Sequence, residues 1–287
     1  MYINHAATKK ATGDIMSTDK EKIAIERLKT ASDMSLATYG EPLIIAYSAG
    51  KDSEVLLELA KRSGIPFEVR HNLTTADAPQ TMRLVHTVFK NLEQEGISCR
   101  IERPKMSMWQ LIPHKGFPMT RRIRYCCQYF KEGGGKNRMV ATGVRWAESV
   151  KRKKRGIFED SHSNIEKKIV LMNDNDDKRR LFERCEMKAK TICNPIIDFT
   201  TDEILDFYTN ECKYHNPIYE MGFKRCGCIG CPMASKARIM EFEIFPNYKK
   251  MYIKAFDRML EVRKQRGLET RLNWQNGQEV FDWWLSA

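Results

Sequence analysis

No run of about 18 apolar residues occurs in this 287-residue chain, so the sequence predicts no membrane-spanning helix. Its opening, MYINHAATKKATGDIMSTDKEK, lacks the apolar stretch of a secretory signal, and a cytoplasmic location is expected. Internal repeats and low-complexity tracts are missing, as are a helix-turn-helix signature, zinc-finger spacing and an RNP motif. Wholesale disorder is excluded as well, because 42% of the residues are hydrophobic and 30% charged, ordinary proportions for a globular protein.

Positive charge is in excess. Lys and Arg number 49 against 37 Asp and Glu, a formal +12. Between Arg121 and Arg155 twelve basic residues face only two acids, Glu132 and Glu148. Such a stretch suits a polyanion, either nucleotide phosphates or nucleic acid, or else forms a solvated basic face. Nine cysteines in a chain expected to be cytoplasmic do not read as disulfide staples. Cys99, Cys185, Cys193 and Cys212 are scattered singles, whereas Cys126 and Cys127 are adjacent and Cys226, Cys228 and Cys231 form C-x-C-x-x-C.

Residues 19–38 have helical periodicity, with Ile23, Ile25, Leu28 and Met34 among charged neighbours. Leu43 to Tyr47 is an apolar run of strand length, and Val55, Leu56, Leu57 and Leu59 form the apolar face of a following helix that Asp52 and Ser53 are placed to cap. Further strands are expected at Phe67–His71, Ser98–Glu102 and Arg138–Thr142, with helices from Pro79, over Met106–Ile112 and over Asp202–Cys212. This alternation predicts an α/β fold, a Rossmann-like parallel sheet with helices on both faces and ligands at the carboxyl ends of its strands. Three spans are expected: an N-terminal helical segment over 1–39, a nucleotide-binding domain over 40–235 and a helical C-terminal extension over 236–287. Within the second, 153–190 is polar and weakly periodic and reads as a flap or insertion. Trp274, Trp283 and Trp284 are expected to dock the tail, which is also a candidate homodimer surface.

Ser48-Ala49-Gly50-Lys51-Asp52-Ser53 lies between a buried strand and a helix N-terminus, where N–H groups, the helix dipole and the Lys51 charge make an anion site. It is not a Walker A loop, which needs Gly where Ile45 stands and Ser or Thr where Asp52 stands. The six residues resemble the SxGKDS pyrophosphate-binding loop of the adenine-nucleotide alpha-hydrolase (PP-loop) superfamily. Within it the chain resembles the phosphoadenosine phosphosulfate (PAPS) reductase family over roughly residues 40–235. Gly116-Phe117-Pro118, Arg124-Tyr125-Cys126-Cys127 and Lys131 are similar to that family's G-x-P…R-x-C…K stretch. Thr142-Gly143-Val144-Arg145 through Glu148-Ser149, with Arg152, resembles its TGxRxxES…R segment, which lines the phosphate or sulfate side of the site. Asn194-Pro195-Ile196, Asp198, Thr200 and Asn216-Pro217-Ile218-Tyr219 resemble its later motifs, with Phe199 in place of Trp. His71 to Thr75 and Pro79-Gln80-Thr81 stand where the family has D-T-G and P-E-T, so Thr75 is the expected adenosine contact although the Asp and Glu are replaced.

Two thiolates three residues apart can grip one metal centre, iron–sulfur or zinc, or act in redox chemistry. The CC…CxxC arrangement resembles the iron–sulfur branch of the family, the adenylyl-sulfate reductases. The resemblance implies a [4Fe-4S] cluster on Cys126, Cys127, Cys228 and Cys231, with Cys226 as a spare thiol able to replace a ligand or act as a nucleophile. Structural zinc and unligated thiols are the other readings.

The family's thioredoxin-linked reductases use a C-terminal E-C-G-L-H thiol and carry a degraded phosphate loop. Here no cysteine follows Cys231 and the loop is intact, which favours ATP and release of pyrophosphate. The chain thus resembles the ATP-pyrophosphatases of DNA phosphorothioation and the cluster-dependent tRNA thiolases. In this reading Ser48, Gly50, Lys51, Asp52, Ser53, Thr75, Gly143, Arg145 and Ser149 bind the nucleotide, and Lys51, Asp52, Arg145 and Arg152 serve catalysis, with Mg²⁺ offsetting phosphate charge. A nucleic-acid acceptor would meet the basic 121–155 stretch, and a partner protein would deliver sulfur or electrons. Reduction of PAPS or adenylyl sulfate, and a non-catalytic nucleotide or redox sensor, are the alternatives.

Overall fold

The computed structural model describes residues 5–131, 135, 137–150, 152–161, 170–171, 190–268 and 274–286. The chain divides into two compact units: one of residues 1–71, 84–100 and 135–217, the other of 72–83, 101–134 and 218–287.

The first unit is organised by a sheet. Strands β1 (Leu43–Ala46), β2 (Phe67–Asn72), β3 (Cys99–Glu102), β4 (Met139–Ala141), β5 (Phe158–Ser161), β6 (Val170–Leu171) and β7 (Lys190–Cys193) lie in the order β3-β2-β1-β4-β7-β5-β6. β1 is an interior strand, parallel to both neighbours, with Leu43 opposite Phe67 and Ile44 opposite Val140. Leu43, Ile44 and Ile45 are buried without alternation, as in a strand covered on both faces. The parallel sheet agrees with expectation, and the edge adds to it. Residues 158–161, inside the segment expected as a flap, pair antiparallel with β7, setting Phe158 opposite Cys193. The rest of that flap falls almost wholly on residues outside those described.

Helix α1 (His5–Tyr39) begins well before the expected residue 19. From residue 19 onward it buries Ala24, Leu28, Ala31 and Met34, a three-to-four-residue stripe that packs on α2 (Lys51–Ser63) and the sheet. Arg27 grips Asp198 with two hydrogen bonds of 2.9 and 3.2 Å. Helix α3 (Pro79–Gln94) contributes Val85, Val88 and Leu92 to this unit's core. α6 (Thr201–Asn210) is capped by Thr200, whose hydroxyl accepts from the Glu203 N–H.

The second unit packs α4 (Met108–Lys115), α5 (Tyr125–Phe130), α7 (Ala237–Ile244), α8 (Pro246–Gln265) and α9 (Gly277–Ser286) around an aromatic core. Pro246 lacks a backbone donor and starts α8, separating it from α7. Trp284 is buried against Phe242, Tyr252 and Phe256, and its indole N–H donates to the Met119 carbonyl at 2.6 Å. Trp283 and Trp274 stack with Phe117. The tail is docked as the tryptophans predicted.

Candidate phosphate loop and thiol cluster

In the first unit β1 ends one residue before Tyr47, and the chain turns through Ser48–Gly50 into α2. Gly50 is the N-cap and has ordinary extended geometry, whereas Ala49 carries the left-handed conformation at φ 56°. Asn216 holds that strained residue by donating its side-chain amide to the Ala49 carbonyl at 2.9 Å. Ser53 wires the loop from inside. Its hydroxyl accepts from the Ser48 and Gly50 N–H groups at 3.2 and 3.1 Å and donates to the Gly50 carbonyl at 2.8 Å. Ser53 therefore fulfils the capping expected of it. Asp52 does not: it turns aside and accepts from Arg145 Nε at 2.5 Å. A helix leaves its first-turn N–H groups without intrahelical partners, and here they belong to Lys51, Asp52 and Ser53.

The 142–145 segment leaves β4 and abuts this loop. A Cβ on Gly143 would lie 3.0 Å from the Asp52 backbone, so glycine permits the approach. Arg145 is buried and also donates to the Phe199 carbonyl at 3.2 Å. Ser149 and Arg152 are one turn further on, where Ser149 anchors the Arg152 N–H and Arg152 pairs with Glu148. Lys51 and Asp52 are half-buried and Ser48 is exposed.

The basic stretch is not a uniform patch. Arg138 pairs with Glu68, Arg145 with Asp52, Arg152 with Glu148 and Arg155 with Glu159. Three of those four acids lie outside 121–155 or on its far flank, so counting charge along the chain overstates what is presented to solvent. Arg121, Arg122, Arg124, Lys153 and Lys154 are exposed.

The second unit holds the thiols. Cys126 and Cys127 open α5, which Tyr125 fixes by donating its hydroxyl to the Phe117 carbonyl at 2.7 Å. Cys228 and Cys231 lie on a loop pinned to the 74–77 turn: Ile229 N–H donates to the Ala76 carbonyl at 2.8 Å, and Asp77 bridges Cys228. Gly230 (φ 74°) is required here, since a Cβ would sit 2.6 Å from the Phe242 ring. Thr74 Oγ1 is 3.3 Å from Cys228 Sγ, Thr81 Oγ1 is 3.9 Å from Cys226 Sγ, and Arg225 Nη2 is 3.8 Å from Cys231 Sγ. In the same unit Thr75 adopts φ 61°, uncommon for a β-branched residue, and its hydroxyl accepts from the Met108 N–H at 2.7 Å.

The four expected ligands come within electrostatic reach of one another. The hydrogen bond that the Cys126 S–H donates to Cys127, then burial, then the charges of Cys127, Cys228 and Cys231 push the Cys126 thiol up. Burial raises Cys228, and raises Cys226 to about 11. Lys131 is held protonated chiefly by Cys228, with Cys127 and Cys231. Among the described residues no three His, Cys, Asp or Glu side chains converge closely enough to share a single ion. A Cys126 thiol raised by its thiol neighbours fits a cationic centre, which removes that penalty.

Sequence reasoning passed over Glu54 and Asp77, and it placed Thr74 and Asn216 within family-like motifs without giving either a contact. Glu54 offered a signal, a carboxylate on the apolar face of α2, and it accepts from the buried Tyr47 hydroxyl at 2.6 Å. The other three act through partners over 130 residues away in the chain.

An uncharacterized protein of Methanocaldococcus jannaschii is 26% identical over 265 residues, 87% of this chain and 56% of its own length. A second from the same organism is 24% identical and matched over 36% of its length, so the chain spans about half or less of these relatives. The adenosine 5'-phosphosulfate reductase of Staphylococcus saprophyticus is 20% identical over 76% of this chain and 80% of its own. Among solved structures, the PAPS reductase of Candida auris in complex with phosphate overlaps 71% of this chain and 87% of its own, at TM-score 0.48 and 16% identity. The U34-tRNA thiolase of Methanococcus maripaludis with its [4Fe-4S] cluster overlaps 87% of this chain and 83% of its own, at 0.41 and 17%. Residues 42–234 match the phosphoadenosine phosphosulfate reductase domain, and the chain belongs to that family.

Proposed function

We propose that this protein cleaves ATP to AMP and pyrophosphate and so activates an acceptor oxygen for sulfur transfer. The observation that carries the reading is the intact 48–53 loop at the N-terminus of α2, wired by Ser53 and Asn216, with Lys51 in the first helical turn. In the first step an acceptor oxygen forms a bond to the α-phosphorus while the bond to the bridging oxygen breaks and pyrophosphate leaves. Ser48, Gly50, Lys51, Asp52 and Ser53 hold the departing phosphates, with Mg²⁺ on the nucleotide sharing their charge. Gly143, Arg145, Ser149 and Arg152 form the flanking wall. A sulfur nucleophile at the hydrosulfide level then displaces AMP, with no net redox change. Positioning and electrostatics do the work, and no general base is required.

Cys126, Cys127, Cys228 and Cys231 would hold a [4Fe-4S] cluster, which when bound supplies a sulfur- or electron-carrying centre. We infer a nucleic-acid acceptor that meets the exposed arginines at 121, 122 and 124, a protein donor of sulfur or electrons, and a 40–235 catalytic span followed by a helical extension that can support a homodimer.

The test is anaerobic purification followed by iron and sulfide analysis and assay of pyrophosphate from Mg-ATP with total tRNA and duplex DNA present as acceptors. A brown protein that releases pyrophosphate supports the reading, and one that binds iron but leaves ATP intact refutes the ATP step. The similarity to an adenosine 5'-phosphosulfate reductase favours sulfonucleotide reduction as the second reading; sulfite release from that substrate would establish it.

A further inference from the structure

Glu54 stands among Val55, Leu56, Leu57 and Leu59 on the buried face of α2, where a carboxyl is costly unless it is hydrogen-bonded. Its partner, the Tyr47 hydroxyl, donates to Glu54 Oε2 at 2.6 Å, and both side chains are buried. The pair brackets the phosphate loop in sequence, Tyr47 immediately before Ser48 and Glu54 immediately after Ser53. Tyr47 is itself fixed. Its N–H donates to the Arg70 carbonyl at 2.9 Å, its own carbonyl lies 3.0 Å from His71 Nδ1, and its ring packs on Phe89. Glu54 N–H makes the first helical hydrogen bond, to the Gly50 carbonyl at 2.9 Å. The two ends of a six-residue loop are thus clasped by one side-chain hydrogen bond beneath it.

We propose that Glu54 is a positioning residue that acts through the Tyr47 hydroxyl to hold the 48–53 loop in its anion-binding form. The inference rests on the reading of that loop as a phosphate site. The clasp also ties the loop to proton concentration. Burial raises Glu54 to about 7, against the Tyr47 hydrogen bond, which favours the charged form; Glu58 raises it further and Lys61 lowers it. Cys212, after α6, also faces this carboxyl. Below neutrality Glu54 is neutral and adds no negative charge under the phosphate. Above it the buried carboxylate repels the ligand. Phosphate ionisation acts in the opposite direction, since a more highly charged anion binds a cationic loop more tightly, so a fall in affinity with rising pH is diagnostic.

The experiment titrates inorganic pyrophosphate into the full chain by calorimetry from about pH 6 to about pH 8, a range that brackets Glu54. Wild-type affinity is expected to fall about fivefold or more, the size of an ordinary coupling between sites. Glu54→Gln preserves an acceptor for Tyr47 and removes the charge, so its affinity stays level or rises with pH. Tyr47→Phe opens the clasp, lowers affinity at every pH and moves the midpoint upward. A Glu54→Gln protein that keeps the wild-type pH profile assigns the titration to another group and overturns the proposal while leaving the phosphate site intact. Wild-type protein that binds no pyrophosphate at any pH overturns the phosphate site and the proposal with it.

Discussion

Removing Asp52 and removing Arg145 break the same ion pair at different costs. The Arg145 side chain is 7% exposed and that of Asp52 is 32% exposed, with Nε and Oδ1 2.5 Å apart. Asp52→Ala strands a buried guanidinium whose other acceptor is the Phe199 carbonyl at 3.2 Å. That loss is on the order of 3 kcal/mol, the low end for an uncompensated buried charge because Asp52 is partly hydrated. Arg145→Met keeps the volume and strands a carboxylate that water reaches and the α2 dipole favours, leaving about 1 kcal/mol, mostly from the Phe199 carbonyl. The double variant carries neither charge and loses about 1 kcal/mol, so the coupling between the sites is about 3 kcal/mol. Because the chain has two units, global unfolding would mix transitions, and segment-resolved hydrogen exchange of Leu43–Ala46 and Lys51–Ser63 is the suitable assay. Asp52→Ala should speed exchange there roughly a hundredfold and Arg145→Met less than tenfold, at about 1.4 kcal/mol per factor of ten. If Arg145→Met costs as much as Asp52→Ala, the burial argument is wrong.

Three further outcomes follow from the geometry. Gly143→Ala places a methyl 3.0 Å from the Asp52 backbone, so it should cost about 1–3 kcal/mol and weaken pyrophosphate binding at least tenfold by displacing the loop; calorimetry on the variant checks both. Cys228→Ser should lose most bound iron after anaerobic purification, whereas Cys226→Ser should keep it, as iron and sulfide analysis would show. Glu54 is raised from 4.5 to about 7 in the folded protein, so between those values the native state holds a proton that the unfolded chain has released. Stability is therefore highest below about pH 4.5 as far as this group is concerned and is lost as pH rises through 7. The loss is about 2–3 kcal/mol relative to Glu54→Gln, read from the hydrogen-exchange free energies of Leu43–Ala46 and Lys51–Ser63 at about pH 5 and about pH 8.

Much of the first unit was legible in the chain because local patterns decide it. An apolar run of four or five residues bounded by turn residues makes β1 in whatever fold it joins, and a three-to-four-residue stripe makes α1 and α2. The SAGKDS loop, the CC pair and the CxxC are contiguous, so the chain itself marked them as a candidate phosphate site and candidate metal ligands by their resemblance to family motifs. The cap of α2 was only half legible, because choosing Ser53 over Asp52 depended on what else Asp52 could reach.

By itself, then, the sequence determined the alternating α/β elements, the family and the kinds of group present at each site. Tertiary structure alone decided which of those groups meet. Arg145 reaches Asp52 across 93 residues of chain, Asn216 reaches Ala49 across 167, and Cys228 meets Thr74 across 154. It also decided how much of the basic stretch is spent on internal ion pairs with Glu68, Asp52 and Glu159, and it set a carboxyl beneath the phosphate loop where Tyr47 can hold it. The physical reason is range: periodicity and capping act over one or two turns of chain, whereas burial and charge pairing depend on neighbours that only the folded sheet brings together.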